Sequence, residues 1–347
     1  MQTIAGSIAH YEPEPILVLK PRPVQGEKSE LFETAATFAQ AAPVATKWVA
    51  KPWIPAGGMT EMVGKIKASG KTTFALAITR AVLEGVPFLN QPCSKSPVVY
   101  LTEQPESSLR EALQKADLLH RNDLFLMRWH KAMGTSWKDL ASAATEKAEQ
   151  VSANLIVVDT LSQFAQLLGD AENNSGQALE VLRPLQAAQE RGIAVLLVRH
   201  ERKGDAEISD AGRGSSAFAG AVDVLLRLRR LGASHPATYR RLESLSRFDE
   251  TPGDSVVEWT PEGYRLHDVA AVTLEAAERK LLAAVPRREQ DAKTCLELAS
   301  VTGQNRRTLE RALAELVTTG SVKRLGAGVR GCAFRYYAED IGGDDPE

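Results

Sequence analysis

A lysine and a threonine directly after a glycine, at the end of a run of small residues, make a place to hold phosphate. Val63-Gly64-Lys65-Ile66-Lys67-Ala68-Ser69-Gly70-Lys71-Thr72-Thr73 is such a run. Small residues let backbone N–H groups approach phosphate oxygens, and a helix starting there adds its N-terminal dipole. Lys71 would neutralise the β- and γ-phosphates of ATP, and the Thr72 hydroxyl would ligate Mg²⁺. Gly64, Lys67, Ala68, Ser69, Gly70 and Thr73 complete the expected cradle. The usual spacing is G-x-x-x-x-G-K-[ST], and Gly64 lies one residue further from Gly70 than that. Either the loop carries an extra residue or Lys65 takes the place of the first glycine.

Cleaving a triphosphate needs more than holding it. A carboxylate must sit beside the metal, and another group must activate water. Asn154-Leu155-Ile156-Val157-Val158-Asp159 is an apolar strand ending in a carboxylate. Asp159 therefore reads as the group that holds Mg²⁺ through its water shell. Val98-Val99-Tyr100-Leu101-Thr102-Glu103 has the same form, and Glu103 is the candidate to orient and activate water. A further apolar strand, Ile193 to Val198, runs into Arg199-His200-Glu201-Arg202-Lys203. His200 at that end is the candidate sensor of the γ-phosphate. The segment Asp210-Ala211-Gly212-Arg213-Gly214-Ser215-Ser216-Ala217 offers Arg213 for transition-state charge in a neighbouring subunit's site. Arg202 or Lys203 could fill that role instead.

These groups act together only if a scaffold brings the strand ends to one edge. From Trp48 to about residue 268, strand and helix alternate, which predicts a mostly parallel sheet covered by helices. Helices are expected over 72–84, from Pro105 onward, over 137–150 and over 177–190. Strands are expected at 60–63, 97–102, 124–129, 155–158 and 193–198. Strands then follow one another without helices, near 222–228, 239–248, 255–259 and 264–266, which predicts antiparallel hairpins on one sheet edge.

On either side the pattern changes. Residues 1 to about 28 are rich in proline and charge and read as a flexible arm. Leu31, Ala35 and Phe38 fall on one face of a short amphipathic helix over 29–41, which packs on its own domain or docks on a neighbouring subunit. After residue 268 come helices near 274–285, 293–300 and 305–319, then strands near 321–324 and 333–337. That order is the order of a winged helix. An acidic, disordered tail is expected from about 341. The domain boundaries thus read as 1–45, 46–270, 271–340 and 341–347.

The net charge of −2 over 347 residues argues against a basic coat on the whole chain. The stretch 274–338 differs, with twelve Lys and Arg against seven Asp and Glu. Arg306 and Arg307 open its third helix, and Arg311 lies one turn beyond Arg307. They would face a DNA major groove, while Lys323, Arg324 and Arg330 would meet backbone phosphate at the wing. Leu309, Leu313 and Leu316 would face the module's own core. A winged helix used for protein contacts is the alternative. Cys93, Cys295 and Cys332 are far apart and form no zinc pattern. No apolar run is long enough for a bilayer and no signal peptide is visible, so a cytoplasmic location is expected.

Pro55-Ala56-Gly57-Gly58-Met59-Thr60-Glu61, Tyr100-Leu101-Thr102-Glu103, Ile156-Val157-Val158-Asp159, Arg199-His200, Arg213-Gly214-Ser215-Ser216-Ala217 and Arg247-Phe248-Asp249-Glu250 resemble the RecA-like ATPases. Within them the chain is similar to the plasmid-type replicative helicases (RepA-like), AAA-type ATPases of mobile elements and phages. The likeness runs from about residue 46 to 268. It implies an α/β, RecA-like P-loop fold, a hexameric ring with ATP at subunit interfaces, and single-stranded DNA in the channel. The expected function is a DNA-dependent ATPase of helicase or translocase type in replication or maintenance of a mobile element. An ATP-switched winged-helix DNA-binding regulator is the alternative. A small-molecule kinase fits less well, because no lid with clustered arginines is visible and the winged helix would have no use.

Overall fold

A computed structural model describes residues 32–41, 45–67, 69–167, 175–201, 208, 217–232 and 235–338. The chain divides into two compact units, Met1–Ala45 and Thr46–Glu347. In the first unit α1 spans Ala35–Ala41. It is shorter than the helix expected over 29–41. Thr34 Oγ1 accepts the Thr37 N–H at 3.1 Å, a cap that fixes the start. The expected arm before residue 29 lies outside the described residues.

The second unit opens on a small antiparallel hairpin, β1 (Trp48–Ala50) and β2 (Ile54–Pro55). Next come β3 (Met59–Gly64), α2 (Lys71–Glu84), β4 (Val98–Thr102), α3 (Glu106–Lys115) and β5 (Leu124–Arg128). They are followed by α4 (Trp129–Ala132), α5 (Trp137–Gln150), β6 (Leu155–Asp159), α6 (Leu161–Phe164), α7 (Ser175–Glu190) and β7 (Ala194–His200). After the short α8 (Ala217–Ala221) come β8 (Val224–Arg230), β9 (Tyr239–Ser246), β10 (Asp254–Thr260) and β11 (Gly263–His267). Expected boundaries move by one or two residues. Pro105 is the cap of α3 rather than part of its first turn. Trp129 belongs to α4, not to the strand before it.

β3 to β11 form one nine-stranded sheet in the order β11-β10-β9-β8-β3-β7-β6-β4-β5. From β8 to β5 all neighbours are parallel, and β8 to β11 pair antiparallel. The parallel strands are apolar on both faces because helices cover both. Phe74, Ile78 and Val82 of α2 and Leu109 of α3 pack on one side. Leu140 and Ala144 of α5 and Leu182 and Leu185 of α7 pack on the other. β7 lies between β3 and β6, so the strand leading into the phosphate loop and the strand ending in Asp159 are not neighbours. This is the strand order of a RecA-like P-loop fold.

Register sets the level of the strand ends. Gly64 lies opposite His200, and Thr102 lies opposite Asp159. All four strands therefore stop along one edge, as the apolar runs predicted.

The chain continues through α9 (Val269–Ala284), β12 (Lys293–Thr294), α10 (Cys295–Thr302), α11 (Arg306–Thr318), β13 (Lys323–Leu325) and β14 (Arg335–Tyr337). α9 begins earlier than expected because Asp268 accepts the Ala271 N–H at 2.7 Å and caps it. Lys293 and Thr294 are not helical. They pair with Tyr336 and Arg335, and Thr294 and Glu297 form a reciprocal capping box that starts α10. The small sheet therefore has three strands, in the order β12-β14-β13, where the sequence predicted two. Leu281, Leu298, Leu309, Leu313, Leu316, Val322 and Tyr336 make a core of their own.

Candidate functional site

The loop between β3 and α2 begins at a glycine that has no alternative. A Cβ on Gly64 would lie 2.6 Å from Ser69 Oγ and 2.8 Å from Leu228 O. Gly64 is thus held to glycine by its packing, where β3 gives way to the loop. Lys67 turns the chain with φ +58°, Ser69 Oγ donates to Lys65 O at 3.0 Å, and Gly70 (φ +87°) opens α2. Ala68 lies outside the described residues.

Lys71 is 7% exposed, and its Nζ donates to Gly64 O at 2.9 Å and Lys65 O at 3.1 Å. Burial lowers its pKa, opposed by the charges of Asp159, Glu201 and Glu103. Thr72 Oγ1 donates to Asp159 Oδ2 at 2.8 Å, and the buried Tyr100 hydroxyl donates to the same oxygen at 3.0 Å. Burial raises the Asp159 pKa, and those two hydrogen bonds and the Lys71 charge oppose the rise.

Glu103 sits one strand away, its N–H donating to Asp159 O at 2.9 Å. Thr160 Oγ1 donates to Glu103 Oε2 at 2.8 Å. Burial raises the Glu103 pKa and the Asp159 charge adds to that, while the Thr160 hydrogen bond and the Lys71 charge lower it. A basic carboxylate held in one orientation suits water activation.

Lys65, Lys67, Ser69, Gly70, Lys71, Thr72, Thr73, Glu103, Asp159, Thr160 and His200 all line one cavity of about 480 Å³. The structure thus brings together every nucleotide-site residue read from the sequence, apart from Gly64, which packs on Ser69 at the start of the loop, Ala68, and the arginine. Arg213, Arg202 and Lys203 lie outside the described residues. Thr72 and Asp159 offer two adjoining oxygen donors. That fits Mg²⁺, which binds few protein ligands and keeps waters and phosphate oxygens.

Beside His200, Arg199 is buried with its guanidinium 2.6 Å from Glu61 Oε1 and 3.6 Å from the Phe218 ring centre. The pair ties β3 to β7 within the sheet and both to α8. Next to the phosphate loop is a second cavity of about 680 Å³, lined by Gly70, Thr73, Leu76, Arg240, Trp259 and Tyr264 among others. Tyr100, Thr160, Arg240 and Tyr264 were not read as site residues. Tyr100 lies on the strand that leads to Glu103 and Thr160 follows Asp159, but each bonds the carboxylate of the other strand, a pairing set by the β4–β6 register. Arg240 and Tyr264 arrive from the far hairpins, and no local pattern marks them.

The six candidate DNA contacts are exposed on α11 and the β13–β14 hairpin. Arg306 Nε donates to Glu310 at 2.7 Å, Arg307 and Arg311 stand one turn apart, and Arg324 lies 4.3 Å from the Phe334 ring centre. Lys323 is on β13 and Arg330 on the loop that follows. Among the described residues no helix is long and apolar enough to cross a membrane.

Strand order, phosphate loop and the paired carboxylates define a P-loop ATPase of RecA-like fold. The sequence profile of the AAA domain family matches residues 25–206, just over half of the chain, and the chain belongs to that family. Solved structures similar to it include the RadB recombinase, 18% identical, with 61% of this chain and 92% of that one covered and a TM-score of 0.46. A KaiC-like protein of the hyperthermophilic archaeon Pyrococcus horikoshii is 14% identical, with 65% and 100% covered and a TM-score of 0.47. No curated protein matches the chain in sequence.

Proposed function

We propose that this chain is a Mg²⁺-dependent, DNA-stimulated ATPase that works as an oligomer, of the helicase or translocase type. The observation that carries the hydrolytic part is the convergence of Lys71, Thr72, Glu103, Asp159 and His200 on one cavity. The loop and the first turn of α2 bind the phosphates, and Lys71 exchanges its carbonyl partners for phosphate oxygens. Thr72 and Asp159 hold Mg²⁺, which when bound neutralises charge on the phosphate oxygens. Glu103, oriented by Thr160, accepts the proton of the attacking water. His200 meets the γ-phosphate from the end of β7. The larger cavity beside Gly70 and Thr73 has room for the base. Arg213, or else Arg202 or Lys203, completes a neighbouring subunit's site.

The DNA part is supported by the exposed cations on α11 and its hairpin, in a winged-helix order with its own core. Segments 46–270 and 271–340 are the ATPase and winged-helix domains in this reading. ATP turnover with and without single-stranded DNA, alongside light-scattering mass, tests it. Wild type is expected to be stimulated and to have the mass of an oligomer. Lys71→Ala and Glu103→Gln are each expected to lose at least ~100-fold in kcat, the second with ATP binding intact. Full activity in Glu103→Gln removes the role assigned to it. Slow turnover that ignores single strands, with tight duplex binding, favours the ATP-switched regulator.

A further inference from the structure

Most arginines of the antiparallel strands and of the turn after β9 pair with carboxylates. Arg227 pairs with Glu243, Arg229 with Glu201, Arg241 with Asp254, and Arg247 with Asp223. Arg240, on β9 one residue before Arg241, has no carboxylate partner among the described residues. Its Nε donates to Ser69 O at 2.8 Å, inside the phosphate loop, and its Nη1 donates to Ala237 O and Tyr239 O. It is half-buried, and burial lowers its pKa, a fall that Tyr264 opposes and the charge of Arg230 adds to. A half-buried cation whose hydrogen-bond partners are all carbonyl oxygens keeps its charge uncompensated and gains from an anion beside it.

Its place says which anion. A Cβ built on Gly70 would lie 3.7 Å from Arg240 Nε and 3.5 Å from the Tyr264 hydroxyl, so both stand at the N-terminus of α2. Gly70 and Thr73 line both the 480 Å³ phosphate cavity and the 680 Å³ cavity, and Arg240 lines the second. A nucleotide running from one cavity to the other passes the guanidinium.

We propose that Arg240 is an anion-binding residue for the phosphate chain of the nucleotide held in the same subunit, on the side toward the base. This rests on the ATP-binding reading given above. It makes the β9–β11 hairpins, which lie beyond the part matched by the AAA profile, part of the nucleotide site. The Nε bond to Ser69 holds the fork in place, and charge does the binding.

Calorimetric titration of the full chain with ATP and with ADP separates this from a purely structural staple. Arg240→Gln keeps an N–H donor for Ser69 O and loses the charge. Arg240→Lys keeps the charge and loses the fork. Arg240→Gln is expected to weaken both nucleotides by ~10-fold or more at an unchanged melting temperature, and Arg240→Lys to stay within ~3-fold of wild type. Binding by Arg240→Gln equal to wild type overturns the inference and leaves the ATPase reading standing. If Arg240→Gln loses its fold, Arg240→Lys decides: nucleotide affinity as in wild type supports the charge role, and a ~10-fold loss in the folded variant overturns it. A wild-type protein that binds neither nucleotide removes both readings.

Discussion

At the scale of single residues, the site is a set of carboxylates whose orientation is fixed by hydroxyls. Thr160 donates to Glu103 and Tyr100 donates to Asp159. Each hydrogen bond restricts the rotamer of the carboxylate it meets, as the proposed mechanism requires. In the proposed mechanism Thr160 positions Glu103 through this hydrogen bond. Thr160→Val is expected to lower kcat about 10-fold with ATP affinity unchanged, and Thr160→Ser to restore it, because only the hydroxyl is needed. Steady-state turnover read together with nucleotide titration checks this. A fall in affinity of the same size would mean that Thr160 supports the fold instead. The carboxylates themselves were legible in the sequence, since an apolar run ending in Asp or Glu marks a strand end. The hydroxyl partners were not, because they act across the β4–β6 register, which no local pattern encodes.

At the scale of elements, the phosphate loop shows what spacing can and cannot settle. Two arrangements fit the longer distance from Gly64 to Gly70, and the contact with Ser69 adds that the Gly64 position itself admits no side chain. Gly64→Ala is expected to push Ser69 and the Leu228 carbonyl aside, at a cost of about 1–3 kcal/mol in stability and with weakened ATP binding. Chemical denaturation and nucleotide titration of the variant check both effects. A variant as stable and as tight-binding as wild type would contradict the close packing at this glycine. The alternating strand and helix pattern, and the change to antiparallel hairpins after residue 222, were legible because periodicity and turn residues are local. β12 was not, because two residues become a strand only when β14 returns beside them.

At the scale of the whole molecule, charge and cores are divided along the chain. The net charge of −2 hides a basic segment with its own apolar core. Truncation after residue 268 is expected to leave ATP turnover without DNA near the wild-type level. DNA binding should weaken and its dependence on salt should flatten, since fewer phosphates are neutralised. Filter-binding or anisotropy titrations over a range of salt concentrations measure the slope. An unchanged slope would assign the C-terminal module to packing or protein contacts. The basic count and the helix order were legible in the sequence. Which cations stay available was not: Arg306 is tied to Glu310 and Arg324 rests against Phe334.

The buried pair between Glu61 and Arg199 bears on how this sequence can change over generations. Each residue is almost fully enclosed, and the Glu61 carboxylate depends on Arg199. Loss of Arg199 alone would leave that carboxylate stranded in the sheet, at about 3–5 kcal/mol, a large share of the stability of an ordinary domain. A lineage that comes to do without the arginine must neutralise Glu61 first. Drift at these two positions therefore has a direction, and it is set by the strands that align the phosphate loop with His200.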